Sequence, residues 1–200
     1  MMRMGRVLGS VGIICIAALL AGCGALRETL PARSAMEQLV LSTAADRAIE
    51  MMPTNQLTCR RVFLDTSNLD CFDKPYVVQR IEKAVLQHGG RLAVSREASD
   101  VVLGVASGGL SMDKRDYLLG MPSVPVPIPF ASQPLVLPEL AIFKTMSYKG
   151  KAKLLFTAVD PVTGGQLFEI PMCYGKSQDT YLWVLLFGPF QRTDLPRELK

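Results

Sequence analysis

The sequence predicts an α+β fold in which two helices pack on a mostly antiparallel sheet. Two segments in the first half of the chain repeat apolar residues at helical spacing, and both are bounded by residue types that start and stop helices. Short apolar runs of strand length, separated by turn residues, fill the second half. No internal repeat is visible, so a single domain is expected over residues 34–200.

The first helix is predicted to begin at a capping box and to end at a proline. Ser34 is the expected N-cap, and Glu37 lies three residues later, where its side chain reaches back to the cap. Pro53 cannot continue the helix because it lacks the backbone N–H donor. The residues at helical spacing are Met36, Leu39, Val40, Thr43, Ala44, Ala48 and Met51.

A strand, a second helix and two further strands are expected next. Residues 61–66 and 101–106 are apolar runs of strand length, and 92–94 is a shorter one. The helix lies between the strands at 61–66 and 92–94. Asp73 is its expected N-cap, and Gly89 is expected to end it. This order indicates a βαβ unit with a right-handed crossover.

Residues 117–138 form an apolar insert without a charged side chain. Six prolines interrupt it, and proline cannot donate to a sheet ladder, so polyproline II or an ordered loop is expected rather than a central strand. This segment and the apolar stretch at 181–190 either pack on the domain's own sheet or form an exposed surface for a partner or the membrane. A chain stiffened by proline loses little conformational entropy on docking, so contact with a protein partner is the prediction for the insert. The side chains predicted to make that contact are Leu118, Leu119, Val124, Val126, Ile128, Phe130, Leu135 and Leu137.

The last third of the chain is predicted to be rich in strands. The candidate strands are 140–148, 151–160 and 166–174. Between the last two, residues 160–165 read D-P-V-T-G-G, which is the chemistry of a tight turn. A final apolar run occupies 181–187.

The N-terminus is predicted to be a secretion signal covering residues 1–22. Arg3 and Arg6 give it a positive start, and residues 7–22 then carry no charge. That run has 16 residues, whereas a helix that spans a bilayer needs about 20. It ends in Leu-Ala-Gly followed by Cys23, which resembles the lipobox of bacterial lipoproteins.

The lipobox resemblance implies cleavage before Cys23 and acylation of its thiol, which would anchor the chain to a membrane through lipid. Residues 23–33 would then be a short tether, and Gly24 in place of an aspartate implies the outer membrane, with the domain facing the periplasm. Removing Arg3 and Arg6 takes the formal charge from +4 to about +2. A nearly neutral domain gives no reason to expect nucleic-acid binding.

Three cysteines remain after the lipidated one: Cys59, Cys71 and Cys173. In an oxidising compartment an odd number allows at most one internal disulfide, and the sequence leaves the choice of pair open. Their number and spacing match no zinc pattern.

No catalytic residue, metal site or cofactor is expected. His88 is the only histidine and lies in the last turn of the second helix, where it suits the helix dipole. Ser111 and Lys114 match the S-x-x-K motif of penicillin-interacting enzymes, but the companion motifs S-D-N and K-T-G are absent. Neither G-x-G-x-x-G nor a P-loop occurs. The aspartates near strand ends are expected to be caps and turn residues: Asp65, Asp70, Asp73, Asp113 and Asp116.

The element order, with its D-x-x-T-G turn at 160–164, resembles the periplasmic domain of the curli secretion pore lipoproteins. The stretches 117–122, 138–144 and 188–190 are similar to a family of short bacterial lipoproteins of unknown function. The second resemblance implies lipid anchoring and an α+β domain, and it implies no activity. The membrane hairpins of the pore subunits alternate apolar and polar residues, whereas the insert here is proline-rich, so pore formation is not expected.

These features together favour a membrane-anchored, non-enzymatic module that binds a protein partner in envelope assembly, secretion or maintenance. The alternative is a carrier of a small ligand or lipid, which would need a deep apolar pocket. A weaker alternative is an envelope hydrolase, which would need Ser111 within hydrogen-bond reach of Lys114 in a cleft.

Overall fold

A computed structural model describes residues 33–126, 135–185 and 187–196 of the chain. The helices are α1 (Ala35–Glu50) and α2 (Lys74–Gln87), with a short 3₁₀ helix at Thr54–Leu57. The strands are β1 (Arg61–Asp65), β2 (Arg91–Leu92), β3 (Val101–Met121), β4 (Val124–Val126), β5 (Leu135–Leu137), β6 (Leu140–Val159), β7 (Gln166–Phe168), β8 (Cys173–Val184) and β9 (Phe187–Thr193). None of the helices in these ranges is long and apolar enough to cross a membrane.

The fold is α+β, as the sequence predicts. Seven strands form one sheet in the order β2-β1-β3-β6-β8-β9, with β7 beside β6, while β4 and β5 form a separate two-stranded sheet. β1 pairs in parallel with β2 and β3, and all other pairs are antiparallel. The parallel pair β1–β2, joined through α2, is the expected βαβ unit.

The N-terminus of α1 is held by two arrangements, of which the sequence predicts one. The Ser34 hydroxyl accepts a hydrogen bond from the Glu37 backbone N–H at 3.2 Å, as in a capping box. The Glu37 side chain does not reach back to the cap, because it accepts from Arg33 at 3.0 Å instead. Arg33 also donates to both carboxylate oxygens of Asp73, so Asp73 makes no side-chain cap for α2 and the predicted role is wrong.

The core lies between the two helices and the part of the sheet that contains residues 152–158 of β6, where every second residue is buried. Close contact between α1 and the sheet depends on small residues on both sides. A Cβ atom on Gly175 would lie 1.7 Å from the carbonyl oxygen of Ala44, and one on Gly150 would lie 2.7 Å from that of Val40. The Ser177 hydroxyl donates to the same Val40 carbonyl.

Several strand boundaries differ from the prediction. The separate strands expected at 140–148 and 151–160 are one continuous strand, β6, because Gly150 stays in register opposite Met112 of β3. The run expected at 166–174 is divided between β7 and β8, which are separated near Pro171, a residue that cannot donate to a ladder. β2 covers only two residues. The expected tight turn forms, and the Asp160 side chain accepts from two backbone N–H groups within it.

The insert is not polyproline II, and this prediction is wrong over the residues described. Residues 117–121 continue β3, paired with β6 as far as Met121 opposite Leu140. β4 and β5 then pair with each other, with Pro125 opposite Val136. Proline is tolerated there because each strand of a two-stranded sheet has a free edge that needs no donor. Residues 127–134, between β4 and β5 in the sequence, lie outside the described residues.

Candidate functional site

Beyond the core, β3, β6, β8 and β9 continue as an extension of the large sheet, and the separate hairpin of β4 and β5 follows β3 at its end; together we call these segments the arm. It comprises residues 113–126, 135–149, 178–185 and 187–193, from β3, β4, β5, β6, β8 and β9. α1 packs over the rows that contain Gly175 and Gly150. Beyond the row of Ser147 and Thr180, every described side chain of this extension is half-buried or exposed. The arm therefore has two faces, and we distinguish the helix-side face, continuous with the core, from the outer face.

The arm is unusually apolar for an uncovered surface. Nine of its large apolar side chains are more than half exposed: Tyr117, Leu119, Leu135, Val136, Leu140, Ile142, Leu185, Phe187 and Phe190. Single exposed apolar residues are ordinary, but this many on neighbouring strands indicate a contact site for a protein, a membrane or a ligand. The arm is accordingly the candidate functional site.

Six of the eight side chains predicted to contact a partner are described, and all six are exposed. Cys23, Ile128 and Phe130 lie outside the described residues. The prediction placed these side chains on one apolar face, and this part of the prediction is wrong. Leu118 and Leu119 are successive residues of β3, opposite Lys144 and Phe143 of β6, so they point to opposite faces of the arm. The apolar surface thus wraps around the arm, and Leu119 lies on its outer face.

Three aromatic rings line the helix-side face. The Tyr148 and Tyr181 rings meet edge to face with centroids 6.4 Å apart, and Tyr181 stacks on Trp183 at 6.0 Å. The Lys114 ammonium lies 5.8 Å from the centre of the Tyr148 ring. These residues come from β3, β6 and β8, so only the register of the sheet brings them together, and no pattern in the sequence indicates the cluster.

The buried carboxylate of Asp179 is linked to this aromatic row through the side chain of Gln191. Asp179 is fully buried, and the Gln191 side chain donates to its two oxygens at 3.1 and 3.3 Å. The same amide donates to the Tyr181 hydroxyl at 3.2 Å. Burial, with a further contribution from the hydrogen bond to Asp179, raises the pKa of Tyr181 to about 12. The tyrosine therefore stays neutral at physiological pH, and its ring remains an uncharged part of the surface.

An apolar hollow lies at the far end of the helix-side face. Its volume is about 540 Å³. Its rim carries one ion pair, between Lys144 and Glu139 at 2.8 Å. The lining residues are Glu139, Leu140, Ala141, Ile142, Lys144, Trp183 and Leu185. Mostly apolar walls with one charged pair at the edge are what a small amphipathic group or a partner's apolar side chain would need.

The outer face carries a block of positive charge next to its apolar part. Lys149, Lys151 and Lys153 are alternate residues of β6 and point away from the core, because the residues between them are buried or face α1. Lys176 of β8 stands directly opposite Lys151. Lysine at every second position is a strand-period signal that is visible in the sequence at 149–153.

The S-x-x-K motif does not form a nucleophile–base pair. Ser111 and Lys114 are three residues apart in the regular part of β3, so their side chains point to opposite faces of the sheet. Lys114 forms an ion pair with Asp116 at 3.1 Å. On the outer face, the hydrogen bond and charge of Lys151 hold the pKa of Asp113 below its usual range.

The remaining candidates for chemistry serve the local structure. Asp65 accepts from the backbone and hydroxyl of Ser67, and His88 Nδ1 lies 2.8 Å from the Ala84 carbonyl oxygen at the end of α2, the expected place. Among the described residues, no three His, Cys, Asp or Glu side chains come together to hold a metal. The three cysteines there are unpaired: Cys59, Cys71 and Cys173. Burial raises the pKa of the Cys173 thiol and makes it less reactive at neutral pH.

No curated protein is similar to the chain. One family model, described as a family of unknown function, DUF6655, matches residues 17–197. That range covers the whole of the described fold, including the arm and the hairpin at its tip. The chain therefore belongs to the DUF6655 family of unknown function.

Proposed function

We propose that the protein is a lipid-anchored, non-enzymatic module of the bacterial envelope and that its arm binds a protein partner. The observation that carries the proposal is the exposure of large apolar side chains along the arm. Burying such side chains against a partner stabilises a complex by about 25 cal/mol per Å² of apolar surface, before the costs of association are subtracted.

The helix-side face and the tip are the parts best suited to a protein partner. Trp183 and Tyr181 form a rigid aromatic pair there, and aromatic residues dominate the binding energy of protein interfaces. Leu118 lies on the same face and is about a third exposed, at 36 %. The hollow beside Trp183 can receive an apolar side chain of the partner, and the Lys144–Glu139 ion pair at its edge provides polar recognition.

Anchoring is proposed from the sequence, through the signal at residues 1–22 and the lipobox cysteine, Cys23. The described domain begins at Arg33, only ten residues after Cys23. Such a tether extends to at most about 33–36 Å, so an acylated Cys23 would hold the arm close to the membrane. We assign the protein to the outer membrane, facing the periplasm, because Gly24 follows the cysteine.

Replacing residues 122–138 with a Gly/Ser linker of equal length is expected to abolish recovery of the partner and to leave the domain folded. The last paired rung of the long hairpin, Met121 opposite Leu140, lies outside the replaced segment, so the sheet keeps its register. The measurement is affinity purification from gently solubilised membranes, with thermal unfolding as the check on folding.

The matched control replaces the turn at 161–165 with Gly/Ser, at the other end of β6. It should recover the partner as the wild type does. If the tip replacement still recovers the same partner, the tip is not the contact surface. If the tip replacement unfolds the domain, residues 122–138 belong to the fold, and a contact role for the tip loses its support.

A carrier of a small ligand or lipid is the second candidate, and the hollow of about 540 Å³ beside Trp183 favours it. That volume is within the range of small-molecule sites, about 300–1,000 Å³. The two candidates differ in what the purified protein retains. A carrier would retain a non-covalently bound small molecule, released on denaturation and detected by mass spectrometry separately from the acyl groups on Cys23, whereas an interaction module would retain a discrete protein.

A further inference from the structure

We infer that the outer face of the sheet is a membrane-docking surface, which lays the domain on a bilayer that contains anionic phospholipid. The inference rests on the lipid anchoring in the proposed function, and it concerns the face of the arm opposite the proposed partner surface. It starts from the arrangement of charge and apolar side chains in successive rows of the sheet.

The strand register divides the outer face into a basic zone near the core and an apolar zone beyond it. Nearest the core, the rows contain Lys153 beside Tyr174, Lys151 beside Lys176, and Lys149 beside Gln178. The row after these contains Arg115 and Arg192, on either side of Ser147 and Thr180. The only acidic residue of β3, β6 or β8 that shares these rows on the outer face is Asp113. Six cations therefore form one block across four strands.

The next two rows are apolar. Tyr117, Leu182 and Phe190 occupy one row, with Thr145 between the first two. The row beyond it holds Leu119, Phe143, Val184 and Phe187. Leu119 is 63 % exposed and Phe187 is 70 % exposed. A basic zone that passes into an exposed apolar zone is typical of elements that lie in a membrane interface, with cations at the level of the phosphates and apolar side chains below it.

The cations of the block are free to meet an external anion. Within the described parts of the chain, Lys151 pairs with Asp113 at 2.6 Å, and the other five have no carboxylate within ion-pair distance. Lys151 and Lys176 stand directly opposite each other, and like charges in that position destabilise a sheet. Asp113 offsets part of this repulsion through its ion pair with Lys151. An anionic surface over the block would remove that repulsion.

A phospholipid bilayer fits this face better than an acidic protein does. A protein partner with acidic groups would match the basic rows, but it would leave the apolar rows to a second kind of contact. A bilayer satisfies both zones at once, through headgroup phosphates and the edge of the acyl region. The tether from Cys23 also confines the domain to within about 36 Å of such a surface, which gives a high effective concentration.

The test is lysine footprinting of the lipidated protein in nanodiscs of phosphatidylcholine alone or of phosphatidylcholine with phosphatidylglycerol. Intact mass is read first, so a failure of anchoring is seen separately from a failure of docking. Lys149, Lys151, Lys153 and Lys176 should be acetylated more slowly in the anionic discs, by about fivefold or more, since each basic residue near an anionic surface strengthens attachment by about that factor. Lys83 on α2 and Lys114 on the helix-side face serve as internal controls and should not change.

The variant K149Q/K176Q is expected to abolish the protection of Lys153 in anionic discs, and the charge-matched control K83Q/K114Q is expected to preserve it. High salt should also remove the protection, because it screens charges at the surface. Equal labelling in the two kinds of disc would overturn the inference. It would likewise be overturned if the block were protected only after an acidic envelope protein is added.

Discussion

Replacing Gly175 by alanine is expected to lower the free energy of unfolding by about 3 kcal/mol, at the upper end of the range for inserting a methyl group into a packed core. The new Cβ would lie 1.7 Å from the Ala44 carbonyl oxygen and 2.8 Å from the Ala48 backbone nitrogen. Both are backbone atoms of α1, so no side chain can move aside and the whole helix must shift away from the sheet. A loss of this size is a large share of the roughly 5–15 kcal/mol that stabilises a typical domain.

Chemical denaturation of the unlipidated chain measures the effect of Gly175→Ala, with Gly165→Ala as the matched control. Gly165 is in the exposed turn after β6, and a Cβ there would meet nothing closer than the Thr163 hydroxyl at 3.4 Å. The control should change stability by less than about 1 kcal/mol. Equal stability of the two variants would contradict the close packing of α1 on β8.

Replacing Cys23 by serine is expected to abolish lipid attachment and to leave residues 1–22 on the chain. The thiol is the group that receives the lipid, and serine offers only a poorly nucleophilic hydroxyl in its place. Intact mass spectrometry of membrane-extracted protein is the measurement. The wild type should begin at residue 23 and carry acyl mass, while the variant should keep its full precursor length.

Cys15→Ser is the control for the anchor, because Cys15 lies within the apolar run of the signal and should leave with it. This variant should be cleaved and acylated like the wild type. A wild-type protein that begins elsewhere, or that carries no lipid, would remove the anchor from the account, and with it the tethering that the membrane-docking inference uses.

The helical half of the fold is readable from the sequence because its signals are local. Ser34 has the residue type and spacing of an N-cap, and its side chain makes the expected bond. Gly89 ends α2 with a positive φ of 79°, a conformation that glycine adopts at no steric cost. Asp73 had the right residue type and the wrong partner: Arg33 lies 40 residues away and competes for its carboxylate, which a local pattern cannot reveal.

The arm is harder to predict because its strands lack a buried face. Where β6 packs on the core, the alternation of buried and exposed residues is regular, and the sequence shows it. Beyond Ser147 the side chains on both faces are half-buried or exposed, and both faces contain apolar residues. The alternation of apolar and polar residues therefore disappears from the sequence, and the prolines decide the prediction there. The aromatic row of Tyr148, Tyr181 and Trp183 depends on the β6–β8 register, which the sequence alone does not determine.

Site-specific photo-crosslinking in living cells tests the central claim, that the arm binds a protein partner, most directly. A photoreactive residue is placed at Leu118 on the helix-side face of the arm, and in a separate strain at Val162, a 90 % exposed apolar position in the turn after β6. Both positions are apolar and solvent-accessible, and they lie at opposite ends of β3 and β6. The account predicts one discrete protein adduct from position 118 and none from position 162. A stable protein that gives no adduct at 118, or the same adduct at both positions, would contradict it.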